Sequence, residues 1–256
     1  SNPEITDHSE SNILVLIISM FSGIGEMLNY YIDNMAREAY VATARKFTSM
    51  VKLVKILDYR IKAANPASAD VIFTFNTALT GPGLIPRSTL VLTANNVAFL
   101  TNDDLNLTTG DTSGTIGVRQ VTKLLAQNIG TTDGTANQAF SLGVNYVHDS
   151  SYITVDAVPY SRVSSLGLSL PTSKHYIVEI DVDGIAYAVF GDGTNGILPP
   201  NNKTVLADYE ETLGELGNVD QLTIITIDSP PVLPGVSSIT VSNPNDASGG
   251  TPYETV

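Results

Sequence analysis

The segment Ser9 to Tyr40, SESNILVLIISMFSGIGEMLNYYIDNMAREAY, constrains this chain most, because it loads one predicted helix with more apolar surface than a single neighbour can cover. Between Ile13 and Met35 stand fifteen large apolar or aromatic residues and only two charges, Glu26 and Asp33. One stripe reads Ile13, Ile17, Met20, Ile24, Met27 and Tyr31, at the four-then-three spacing of a helix packed on helices. A second reads Leu14, Ile18, Phe21, Leu28 and Ile32 on an adjoining face. Burying each such side chain is worth roughly 1.5–3 kcal/mol, so leaving half of them wet would lose about 10–20 kcal/mol, more than the net stability of a typical domain. The segment is therefore expected inside a helical bundle to which other chains contribute. Leu14, Ile17, Phe21, Ile24, Leu28, Tyr31 and Met35 are the expected partner-interface residues.

Ser9 or Ser11 can cap this helix, and Gly23 and Gly25 allow a kink or a close crossing within it. Thr43 can cap a second helix, 44–59, with Phe47, Met50, Val51, Val54, Leu57 and Ile61 on its apolar side and Arg45, Lys52, Lys55 and Lys62 on the other. Pro66 in AANPASAD stops helical continuation, so 63–69 reads as a linker. Beyond it, VIFTFN, TLVLTA, VAFLT, LNLTT, YITVDAV, HYIVEIDV, IAYAVF, TVLADYE and LTIITID have strand length and alternation, punctuated by Gly, Asn and Asp. GTIGVRQVTKLLAQNIG is ambiguous, and its glycines and β-branched residues favour a bent strand. Asp183-Gly184 is the strongest hairpin signal. The expected fold class is α+β, a two-helix arm over 1–62 followed by a mainly antiparallel β domain over 70–230, with a subdomain inserted near 110–165. The Pro/Ser/Gly/Asn-rich end, 231–256, reads as a connector carrying one strand, SSITVSN, toward domains beyond Val256. An opening Ser-Asn without methionine likewise points to a start that has been removed.

Charge and motifs narrow the function classes. The formal net charge is −13, and it is lopsided: up to Lys62 seven acidic residues balance seven basic ones, while the remainder holds 19 acidic and 6 basic. Such a surface repels nucleic acid and anionic membranes. No cysteine is present, which removes disulfides and thiolate metal sites. The run Ile13 to Gly25, ahead of Glu26, is shorter than a membrane span. Asp181-Val182-Asp183-Gly184 imitates a calcium loop but has Ala186 where that loop needs glycine. His8, His148 and His175 show no ligand spacing, and no Gly-x-Ser-x-Gly elbow occurs. Gly191, Asp192, Gly193 and Gly196 lack the lysine and strand-to-helix setting of a phosphate loop, and read as a structural turn. The residues thus suggest no catalytic, metal or cofactor site and no small-molecule substrate.

Three segments in order resemble the baseplate-J-like wedge proteins of contractile phage tails and related injection machines. LNYYIDNMAREAYVATARKFTSMVKLVKILDYRIKAANPASADVIFTF is similar to that family's amino-terminal pattern, with Arg37-Glu38-Ala39 at the turn and Asp58-Tyr59-Arg60 where the family has Gly-Tyr-Arg. AYAVFGDGTNGILPPNNKTVLADYEETLGELGNV looks like its Phe-Gly-Asp-Gly turn and the following Tyr strand, and ITVSNPNDASGGTPYET matches its Asn-Pro and Gly-Gly string. The region 76–170 matches only in texture. The resemblance implies a non-enzymatic wedge subunit in the virion tail baseplate, whose amino-terminal helices bundle with other wedge proteins and with a second copy of itself. Two competing readings are a tail-associated adhesin, which leaves the helices unexplained, and a β-fold carbohydrate-active enzyme, which the absence of tryptophan disfavours.

Overall fold

The computed structural model describes residues 13–40, 42–46, 49, 50, 53, 61–181 and 183–254. The chain divides into two compact units, Ser1–Arg60 and Ile61–Val256. In the first, helix α1 spans Ile13–Glu38 without interruption at Gly23 or Gly25. It ends two residues before the expected Tyr40, because the chain folds back there. The Glu38 carboxylate accepts from the Arg45 and Lys46 amides at 3.1 and 3.2 Å, and the Thr43 hydroxyl donates to the Arg37 carbonyl at 2.7 Å. Of the second expected helix, 44–59, residues Ala44, Arg45 and Lys46 are non-helical, Ser49, Met50 and Leu53 are helical, and the rest lies outside the described residues. The described arm therefore contains one established helix, not two.

The second unit is built from strands β1 (Ser68–Phe75), β2 (Gly83–Ile85), β3 (Leu90–Thr93), β4 (Ala98–Thr101), β5 (Leu105–Leu107), β6 (Ser113–Arg119), β7 (Thr122–Thr131), β8 (Ala139–Gly143), β9 (Tyr152–Val155), β10 (Val158–Arg162), β11 (His175–Ile180), β12 (Ala186–Phe190), β13 (Thr204–Glu211), β14 (Ile224–Ile227) and β15 (Ile239–Ser242). They form a six-stranded sheet in the order β14-β3-β4-β6-β1-β15, a seven-stranded sheet in the order β7-β13-β9-β10-β11-β12-β8, and the small pair β2-β5. The pairings between these strands are antiparallel except β10 with β11, which the crossover containing the 3-10 turn Leu166–Leu168 makes parallel. The seven-stranded sheet is one continuous stretch of chain inserted between β6 and β14.

Each sheet has its own core. Val71, Phe73, Val91, Phe99, Ile224 and Val241 fill the first, and Leu142, Tyr146, Ile153, Tyr176 and Phe190 the second. Period-2 alternation in β1 and β13 puts one face of each inward. The Phe190 ring meets Tyr160 edge-on at 5.2 Å and Phe140 at 5.7 Å. Buried Tyr146 and Tyr176 keep their hydroxyls bonded through Ser151, at 3.0 and 3.1 Å.

Several expectations change. YITVDAV is a hairpin rather than one strand: Asp156 and Ala157 both have positive φ (52° and 62°), the conformation of a two-residue turn that favours glycine. An alanine in that position hides the turn from sequence reading. The expected linker 63–69 belongs to the β unit, where Ala64 and Ala67 are buried and Ser68 opens β1. Of the expected connector 231–256, the described residues 231–254 are equally built in, since Leu233, Val241 and Ala247 enter the first core and β15 pairs with β1. The inserted sheet covers β7 to β13, beyond the 110–165 expected.

Candidate assembly interface

At 3.6 residues per turn, the apolar side chains of α1 other than Val15 and Tyr30 cover roughly 200° of its circumference. Ile17, Phe21, Ile24, Leu28, Tyr31 and Met35 lie along the middle of that arc, with Leu14 on the same line; the Leu14 side chain is outside the described set. All six described members are exposed, from 42% for Ile17 to 75% for Met35. The opposite stripe carries Ser19, Ser22, Glu26, Asn29, Asp33 and Arg37. The helix is amphipathic with an unusually wide apolar face.

Over Val15–Glu38, α1 is long and apolar enough to cross a membrane by length and composition alone. This corrects the expectation that the apolar run is too short, a count that stops at Glu26 although apolar residues resume beyond it. Glu26 and Asp33 still weigh against lipid, at about 2.5–3.5 kcal/mol for a carboxylate near mid-span. They occupy the polar stripe, as a helix packed on protein with one wet side would have them.

Gly191, Asp192, Gly193 and Gly196 come together in one turn after β12. The Asp192 carboxylate accepts from the Thr194 and Asn195 amides at 2.8 and 2.7 Å, and the Gly193 amide donates to the Gly196 carbonyl at 3.0 Å. Hydrogen bonding from the Asn195 amide, then from Thr194, holds the Asp192 carboxyl below its ordinary value. A side chain on Gly191 would collide with the Gly196 backbone, and Gly193 and Gly196 have φ of 89° and 87°. At the Asp183-Gly184 turn, β11 and β12 pair as a hairpin, Gly184 has φ 77°, and Asp181 accepts from the Asp183 and Ile185 amides at 3.0 and 2.9 Å.

Two polar constellations were not legible in the sequence. Arg119, at the end of β6, donates to Glu210 of β13 at 2.9 Å, and the next residue, buried Gln120, accepts from the Thr212 hydroxyl and the Leu213 amide at 2.8 and 2.7 Å. Together they lock the two sheets where the chain passes between them. The Ser169 hydroxyl lies 2.8 Å from His175 Nδ1. A nucleophile also needs an open cleft and oxyanion donors, whereas Ser169 is buried. Among the described residues no group of three His, Asp or Glu side chains is placed to hold a metal.

Residues 2–56 match the family model described as bacteriophage baseplate protein, N-terminal domain. No curated protein matches the chain. Among solved structures, it is similar to a chain in the cryo-EM structure of the anti-feeding prophage (AFP) baseplate, 6-fold symmetrised, at 18% identity and a TM-score of 0.31 over 94% of its own length. That superposition is too loose to argue from, and the chain spans 44% of its counterpart, less than half. The likeness to a known family thus lies in the segment that holds α1, which is similar to the N-terminal domain of bacteriophage baseplate proteins.

Proposed function

We propose that this chain is a structural wedge subunit of the baseplate, joined to other wedge proteins and to a second copy of itself through α1. The observation that carries the reading is the wide apolar arc of α1, exposed in the isolated chain and lying within the segment that matches the baseplate family. Six large side chains at roughly 1.5–3 kcal/mol each make burial against partner helices strongly favourable. The role is assembly rather than turnover, and the polar groups brought together in the β unit act as locks and turns.

Ile17→Glu and Ile24→Glu place charges in the middle of the arc. Each is expected to abolish co-purification with the other baseplate proteins from particles while the β unit keeps its native circular dichroism. Co-purification at the wild-type level would overturn the reading.

A further inference from the structure

The two ends of the β unit are stapled together. Residues 248–254 run antiparallel beside 62–68: the Asn65 and Thr251 amides donate to each other's carbonyls at 2.9 and 3.0 Å, and Ser68 and Ser248 do the same at 2.8 and 3.0 Å. The Glu254 amide donates to the Lys62 carbonyl at 3.1 Å, while its carboxylate accepts from the Lys62 amide at 3.2 Å. On its other side the strap is held by Asn218, whose side chain donates to the Gly250 carbonyl at 3.0 Å and accepts from the Gly250 amide at 2.9 Å. Gly250 lies so close to the Gly214 carbonyl that no Cβ fits between them. Tyr253 lies against Gly184 at the hairpin tip, where a Cβ would meet its ring. The strap thus touches the root of β1, the segment after β13 and the β11-β12 turn at once.

What holds the strap differs from what holds the sheets. Its buried residue is Gly250, its Ser248, Gly249, Thr251 and Pro252 are exposed, and Tyr253 and Glu254 are half-buried. β1 by contrast buries Val71, Phe73 and Phe75. Exposed hydrogen bonds are exchanged for bonds to water at small net cost, whereas opening a core exposes apolar surface. Segments of the first kind open locally while the rest stays folded.

We infer that 248–254 is a releasable strap over the root of the helical arm, opening before either sheet. With it closed, Lys62 is tied to Glu254. With it open, the root is free back to Ala63, which stays packed against the second core, and Ala64 keeps its bridge to Val147. Two residues, 61 and 62, are released, roughly 7 Å of extended chain. The arm gains that slack without either core being disturbed, and this device is independent of which partner the arm binds.

Native-state hydrogen exchange on the full chain, read by mass spectrometry or NMR, tests it. In the wild type the amides of Asn65, Gly250, Thr251 and Glu254 are expected to exchange at least about ten-fold faster than those of Phe73 and Ala207. Asn218→Ala removes two strap bonds at an exposed position, and should accelerate the strap amides by a further several-fold with Phe73 and Ala207 unchanged. One common rate for strap and sheet amides in the wild type, or equal acceleration of all of them by Asn218→Ala, would overturn the inference.

Discussion

Gly191 has no room for a methyl group, because the Gly196 backbone fills the space where its Cβ would stand. Gly193 has room, and only its φ of 89° resists substitution. Gly191→Ala should therefore destabilise the chain by roughly 1–3 kcal/mol and Gly193→Ala by roughly 1 kcal/mol, in that order in urea unfolding; the reverse order would contradict the packing. Asp192 adds a pH dependence to the same turn. Its folded carboxyl titrates below the ordinary value of 3.8, so its contribution is complete above that value and is lost as pH falls through the lower folded one. The stability difference between wild type and Asp192→Asn should accordingly be largest near neutrality and vanish in strong acid, as thermal melts across pH would show.

The arrangement of α1 separates two kinds of substitution at the scale of the element. Phe21→Glu or Leu28→Glu, within the apolar arc, should prevent assembly, while Ser22→Glu or Asn29→Lys, on the polar stripe, should leave co-purification unchanged. If both faces proved equally sensitive, the helix would be enclosed all round and the polar stripe would have no wet side. Between the sheets, Arg119→Ala leaves Glu210 buried without its partner. A cost of about 1–3 kcal/mol in denaturant midpoint is expected, with Glu210→Gln in the Arg119→Ala background recovering part of it.

For the whole molecule, the division into Ser1–Arg60 and Ile61–Val256 has a direct consequence. Both sheets, both cores and the strap lie within the second unit, so a chain of 61–256 should fold cooperatively, with a melting temperature within a few degrees of the full protein. Failure of that chain to fold would mean that the first unit supplies part of the β core. The acidic excess lies in this second unit, with 19 acidic residues against 7 basic once Lys62 is counted. This surface is suited to solubility and to basic neighbours.

Much of this was open to reading from the residues themselves. The apolar arc of α1, the strands from VIFTFN to LTIITID other than the YITVDAV hairpin, and the hairpin at Asp183-Gly184 are local, because side-chain periodicity and a glycine at positive φ are written in neighbouring positions. Where information is not local, the neighbouring residues carry no mark of it. Arg119 meets Glu210 from 91 residues away, and nothing near either marks the other. The Pro/Gly-rich end reads as a connector because its composition is that of a loop, yet backbone bonds to Asn65 and Ser68 make it a strap, and backbone pairing is indifferent to composition. The residues thus determined which faces are apolar and where the chain turns. Which strand lies beside which was decided only by the tertiary structure, through many weak contacts between distant segments.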